Sequence, residues 1–399
     1  MNAMPRNASS AALMPCAIAV WVAALIVVPA PLAARIFLLA PLVIVPHLIP
    51  HLPPDRRWIG RVGGWPSFMA ALPLVLAYSV PTGPLAAVAT LPWLTVAVIG
   101  LLAGLRHGFV EVPSIVRPVR LPDLGVDVAL GFWAVGAVFT TVDRSGVDAG
   151  FSPVIVLLTT THFHFAGFAL LGMASLLAVS RRRLAASVAG LVVGIPLTAL
   201  GFVMDTDAIN ALGAILVGSA GIGVGLALLT GPMYAASAWV RRAAGVALLV
   251  GMPMGIAWSV AALTDWRFLD LEMMVRTHGA LNSTAVLLAV LAYRPLRPSV
   301  GWARESAPGA GRELVGESGH DRVEPWPLEV RVEPPQDEPR GLELGHRPGP
   351  VDLRPDTGDA VRPEPDVDGS STAHADLREA LVEESLRAID RHGSAPRGR

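Results

Sequence analysis

The first 300 residues are a succession of apolar runs separated by short segments rich in Arg, Pro and Gly. Each run approaches the roughly 20 residues that an α-helix needs to cross hydrocarbon, where every backbone polar group must be satisfied within its own segment. Ten are predicted, at 11–30, 33–49, 65–80, 85–105, 126–141, 152–180, 184–204, 209–230, 234–263 and 271–293. The third and fifth are the shortest and are open to a re-entrant reading. The pattern predicts an all-α, polytopic helical membrane domain over residues 1–300.

The polar breaks fix an orientation. With ten spans and an internal N-terminus, the inner segments collect 14 Arg, among them Arg56, Arg57, the triplet Arg181, Arg182 and Arg183, and the pair Arg241 and Arg242. Only three Arg (Arg35, Arg144 and Arg267) fall outside. That asymmetry meets the positive-inside rule and predicts a bacterial inner-membrane protein with both termini cytoplasmic. The first run lacks a small-residue cleavage site and reads as a retained signal anchor. The Arg triplet reads as a topology anchor first and an anionic-lipid contact second.

Composition changes the picture in two places. The net charge of −1 hides +7 in the first 300 residues and −8 beyond them, so no nucleic-acid surface is indicated. Cys16 is the only cysteine, which excludes an intramolecular disulfide and a thiolate metal cage. All 31 basic residues other than His are Arg, which excludes a lysine Schiff base and a P-loop lysine.

Residues 301–371 mix Pro, Gly, acids and Arg with too few large apolar side chains to offset the entropy of ordering, and are expected to be a disordered linker. The remaining tail, 372–399, places Leu377, Leu381, Val382, Leu386 and Ile389 on one helical stripe. That stripe suits a cytoplasmic protein partner or the membrane surface, or a transient helix with neither.

Ionisable groups within an apolar span are costly and mark a site by default. The sixth span reads Thr159-Thr160-Thr161-His162-Phe163-His164-Phe165, which puts both histidines about 15 Å below the outer surface, near the midplane. The tenth reads Glu272-Met273-Met274-Val275-Arg276-Thr277-His278-Gly279-Ala280-Leu281-Asn282 and enters from the same side. Glu272 and Arg276 are four apart and can pair, as are His278 and Asn282 on another face. His162 and His164, two apart, point about 200° away from each other, so at most one faces any shared site. Both can equally be interhelical hydrogen-bonding glue. Thr140, Thr141, Asp143, Asp205 and Asp207 lie toward the outer side, where seven of the 11 acids of the first 300 residues gather as a candidate funnel for a cation or protons. On the inner side His47 and His51 are four apart, but Pro46 and Pro50 are expected to break the helix that would align them for a metal.

The segments Thr161-His162-Phe163-His164-Phe165-Ala166-Gly167-Phe168 and Arg276-Thr277-His278-Gly279-Ala280-Leu281-Asn282 together resemble the two signature segments of the YndJ-like bacterial membrane family. The resemblance runs over about residues 15–295. It implies a polytopic helical fold and singles out His162, His164, Arg276, His278 and Asn282, while naming no reaction.

Three functions follow as expectations. The first is a permease-like protein for an unknown small solute or ion, coupled to protons or a cation. Its polar site is His162, His164, Arg276, His278, Asn282, Glu272, Thr159, Asp143 and Asp205, with no cofactor. The second is a membrane oxidoreductase or metal enzyme holding haem or a divalent metal through His162, His164 and His278; no CxxCH, HExxH or GxSxG motif supports it. The third is a scaffold or sensor acting through the tail.

Overall fold

The computed structural model describes residues 6–53, 59–108, 120–179, 181–231, 238–264 and 269–293, all within one compact unit. Both tail segments, the linker 301–371 and the stripe near 373–391, lie outside the described residues.

A helix stands at each of the ten apolar runs. They are α1 (Arg6–Val27), α2 (Leu32–His51), α3 (Trp65–Ser79), α4 (Pro84–Arg106), α5 (Leu121–Ser145), α6 (Pro153–Ala178), α7 (Arg182–Val203), α8 (Asp207–Thr230), α9 (Ala238–Ala261) and α10 (271–292). Among the described residues there is no strand.

Seven of these, α2 and α4 to α9, are long and apolar enough to cross a membrane. The other three fall short for different reasons. The apolar part of α1 is Ala12–Val27, and α3 has 15 residues. α10 is long enough, but Glu272, Arg276, His278 and Asn282 dilute its first half.

The fifth helix corrects its predicted length. It begins at Leu121 and has 25 residues, because Asp123 at its start and Asp143 and Arg144 at its end belong to it although they lie outside the apolar run. Asp127 is accommodated by His107, whose Nδ1 lies 2.7 Å from its carboxylate. The helix at Pro46 and Pro50 is also not broken: residues 32–51 stay helical, winding from α into a π-helical stretch at Ala40–Ile44 and ending in a 3₁₀ turn at Ile49–His51. Prolines remove N–H donors and loosen the ladder there without ending it.

Helices α3 to α10 pack each on its predecessor as successive antiparallel hairpins. α2 departs from this order: it packs against α1, α3, α6 and α10, and 78% of its apolar window is buried, the largest share among the seven. The outer faces carry exposed apolar side chains, such as Leu85 (63%), Val88 (60%) and Val246 (52%), as a surface surrounded by lipid tails requires.

Candidate functional site

Among the described residues, stretches of π-helix occur at Ala40–Ile44, Phe163–Leu170 and Val275–Gly279, on α2, α6 and α10. Such windings concentrate at functional sites because the widened turn re-aims side chains. Both polar segments singled out in the sequence fall on them, and α2 touches α6 and α10 at these levels.

The two histidines of α6 part company. His164 is fully buried. Its Nδ1 lies 2.8 Å from the Thr160 carbonyl, and the indole N–H of Trp93 donates to its Nε2 at 3.0 Å. An indole only donates, so Nε2 must carry the lone pair and Nδ1 the proton. Phe37 from α2 meets the ring edge-on at a centroid distance of 5.0 Å. Gly136 of α5 lies underneath, where a Cβ would stand 2.6 Å from Nδ1. His164 therefore sits in an aromatic cage with both ring nitrogens used.

His162 turns the other way. Its Nδ1 lies 2.8 Å from the Leu158 carbonyl of its own helix and must donate to it, which leaves Nε2 as a lone pair. The ring is exposed. His278 of α10 lies close enough for the two rings to interact electrostatically.

His278 is anchored from α9. Its Nδ1 donates to the Gly251 carbonyl at 2.8 Å, again leaving Nε2 with a lone pair. The close approach depends on the run Gly251-Met252-Pro253-Met254-Gly255: a Cβ at Gly255 would stand 2.6 Å from Cε1 of His278, and one at Gly251 would collide with Oδ1 of Asn282. The amide nitrogen of Asn282 sits 3.0 Å from His278 Nδ1, and its Oδ1 is buried without a partner. With Nδ1 donating to Gly251, the amide has nothing to donate to at that atom, but it lies 3.4 Å from Nε2 and can donate to the lone pair there. Exchanging the two amide positions turns Oδ1 toward the N–H and leaves the nitrogen buried instead. As placed, Oδ1 is the unsatisfied end of Asn282.

The remaining predicted residues distribute as follows. Arg276 and Glu272 pair at 2.5 Å one turn from His278, both largely exposed. Thr159 donates to its own helix at Ile155. Asp205 occupies an exposed turn between α7 and α8, with a left-handed φ of 48°. Asp143 belongs to a different centre: it lies 3.8 Å from Arg144 and approaches the Tyr78 hydroxyl without closing a hydrogen bond. Arg144 stands 4.7 Å over the Tyr78 ring and donates to the carbonyls of Ala77 and Val80 at the end of α3. Tyr78 in turn packs 5.5 Å from Phe37, so one α2 side chain joins the Asp143 centre to the His164 cage. His47 bonds its own helix at Val43, and His51 packs against Tyr293. Among the described residues no group of three or more His, Cys, Asp or Glu is placed to hold a metal.

Sequence reading missed Trp93, Tyr78, Gly136, the Gly251/Gly255 shelf and the His107 and Asp127 pair. The glycine spacing of α9 was a legible signal for close approach. The tryptophan and tyrosine were hidden as apolar bulk.

An all-helical bundle with outward apolar faces is the architecture of a polytopic membrane protein. Residues 35–286 match the YndJ-like protein family. The match covers more than half of the sequence, and the chain belongs to that family. No curated protein matches, and no solved structure matches.

Proposed function

We propose that this protein is a multi-pass protein of the bacterial inner membrane, with both termini in the cytoplasm, that passes a small solute or a cation through the recess between α2, α6, α9 and α10. One observation carries the reading: His162 and His278 each have Nδ1 pinned to a backbone carbonyl and Nε2 as an acceptor, that of His278 only 3.4 Å from the Asn282 amide nitrogen, whose Oδ1 is buried and unsatisfied. Lone-pair acceptors gathered within an apolar bundle suit a proton or cation in transit. Arg276 and Glu272 flank the recess as an exposed pair that can exchange partners with a charged solute. His164 serves as a packing element, its Nε2 already committed to Trp93.

The experiment is proton and cation flux into proteoliposomes. Wild-type protein conducts, His162→Ala and His278→Ala lose most of the flux, and a Glu272→Gln control changes it less. Equal flux in all four sinks the proposal.

A second reading rests on the same tautomers, since an Nδ1 donor with a free Nε2 is also how metal-ligating histidines are oriented. His162 and His278 would hold a metal or haem, with His164 excluded unless it gives up Trp93. The absorption spectrum and metal content of the purified protein distinguish the two.

A further inference from the structure

At the end of the bundle that carries the arginines, two side chains from different segments converge on the last turn of α8. Arg181 precedes α7 and its Nη1 donates to the carbonyl of Ala227. Arg241 lies in the first turn of α9 and its Nη1 donates to the carbonyl of Leu228. The two forks flank one buried glycine: a Cβ at Gly231 would collide with Nη2 of Arg181 and stand 2.8 Å from Nη1 of Arg241.

Their charges act on one another, and among the described residues neither is in an ion pair with a carboxylate. The negative end of the α8 dipole, about half a charge, offsets only part of two. Donors also remain, since a guanidinium has five N–H groups and Nη2 of Arg241 is buried with no partner. The missing component is an anion with several acceptor oxygens, and planar guanidinium forks match phosphate oxygens bidentately.

The surroundings say where that phosphate comes from. Trp239, two residues from Arg241, is 69% exposed, as an aromatic anchor at headgroup level is. Leu226 of α8 and Val246 of α9, little more than one turn deeper, are exposed apolar side chains along which acyl chains can lie.

We infer that Arg181 and Arg241 form a binding site for the phosphate of an anionic phospholipid headgroup, seated against Gly231 at the C-terminal end of α8. The site is separate from the histidine recess and independent of what passes there.

The test is native mass spectrometry of the full-length protein, delipidated in detergent and titrated with phosphatidylglycerol or, as control, phosphatidylcholine. Phosphatidylglycerol is retained preferentially. Arg181→Gln and Arg241→Gln each weaken retention about fivefold, the scale of one basic residue at a membrane surface. Arg182→Gln removes the same charge nearby and leaves retention close to wild type. Helicity and a monodisperse elution profile establish that each variant is folded. Should Arg241→Gln not fold, Arg241→Lys keeps the charge, loses the fork and still weakens retention.

Unchanged retention in the Arg181 and Arg241 variants overturns the site. Equal loss in Arg182→Gln reduces it to net charge and also overturns it. Millimolar inorganic phosphate leaves the bound phosphatidylglycerol in place; displacement by it would reassign the site to a soluble phosphate and overturn the lipid.

Discussion

Trp93 and His164, on α4 and α6, are joined by an indole N–H that donates to the imidazole Nε2 at 3.0 Å, and both side chains are fully buried. The bond fixes the histidine's tautomer from outside its own helix. Replacing Trp93 with Phe keeps an aromatic ring but strands a buried acceptor, at a cost of about 1–3 kcal/mol. Thermal unfolding followed by circular dichroism in detergent is expected to show a lower midpoint for Trp93→Phe. An unchanged midpoint would mean that the bond carries little weight.

Gly136→Ala tests the floor of the same cage. Its Cβ would stand 2.6 Å from Nδ1 and 2.8 Å from Cε1 of His164, and 3.1 Å from Cβ of Phe163. Overpacking of this kind costs about 1–3 kcal/mol, and the yield of folded protein is expected to fall accordingly. Gly131→Ala, where a Cβ meets nothing closer than 3.9 Å, is the neutral control on the same helix.

Gly255→Ala separates function from folding. The added methyl would press on Cε1 of His278, an edge of a ring that is only partly buried and has room to turn. Flux through the recess is expected to drop at least as far as in His278→Ala, with the unfolding midpoint moved less than by Gly136→Ala. A normal flux would separate His278 from transport.

At the Asp143 centre the expectation runs the other way. The Tyr78 hydroxyl is buried and faces the Asp143 carboxylate outside good hydrogen-bond geometry, so Tyr78→Phe removes a poorly satisfied group while keeping the ring under Arg144. The variant is expected to be as stable as wild type or slightly more so. A loss above about 1 kcal/mol in chemical unfolding would reveal that the hydroxyl has a partner, such as an internal water.

The His107 and Asp127 pair joins α5 to the residue following α4 at the opposite end of the bundle. Both side chains are about nine-tenths buried. Asp127→Ala is expected to lower stability by about 1.5–3 kcal/mol, the range for a charge-assisted bond, and Asp127→Asn by less because its amide oxygen still accepts. Limited proteolysis of the connection between α4 and α5 is the direct measurement.

The helices were legible because an apolar run near 20 residues has few alternatives to a helix, and the ends of most agree with composition to within a few residues. α5 was underestimated because Asp123 at one end and Asp143 and Arg144 at the other stop an apolar run without stopping a helix. The separation of His162 from His164 followed from helical period alone. What could not be read was which neighbour each side would meet. Trp93 comes 71 residues before His164, and Phe37 reaches both Tyr78 and His164 only because α2 leaves the hairpin order and enters the centre. The π-helical winding at Phe163–Leu170 and Val275–Gly279 was equally invisible, since it is set by packing rather than by propensity. Ranking polar residues by depth grouped Asp143 with the histidines, whereas the structure gives it partners of its own in Tyr78 and Arg144.

The central place of α2 has a consequence for how the chain is made. Synthesis delivers α2 second, and a mean hydropathy of 2.1 lets it enter the bilayer at once. Two of the helices that cover it, α6 and α10, leave the ribosome more than 100 and more than 200 residues later. Until then its π-helical turn and its prolines face lipid or transient neighbours. α10 therefore completes the cover of α2 late, and a nascent chain halted before residue 271 would be inserted but unfinished.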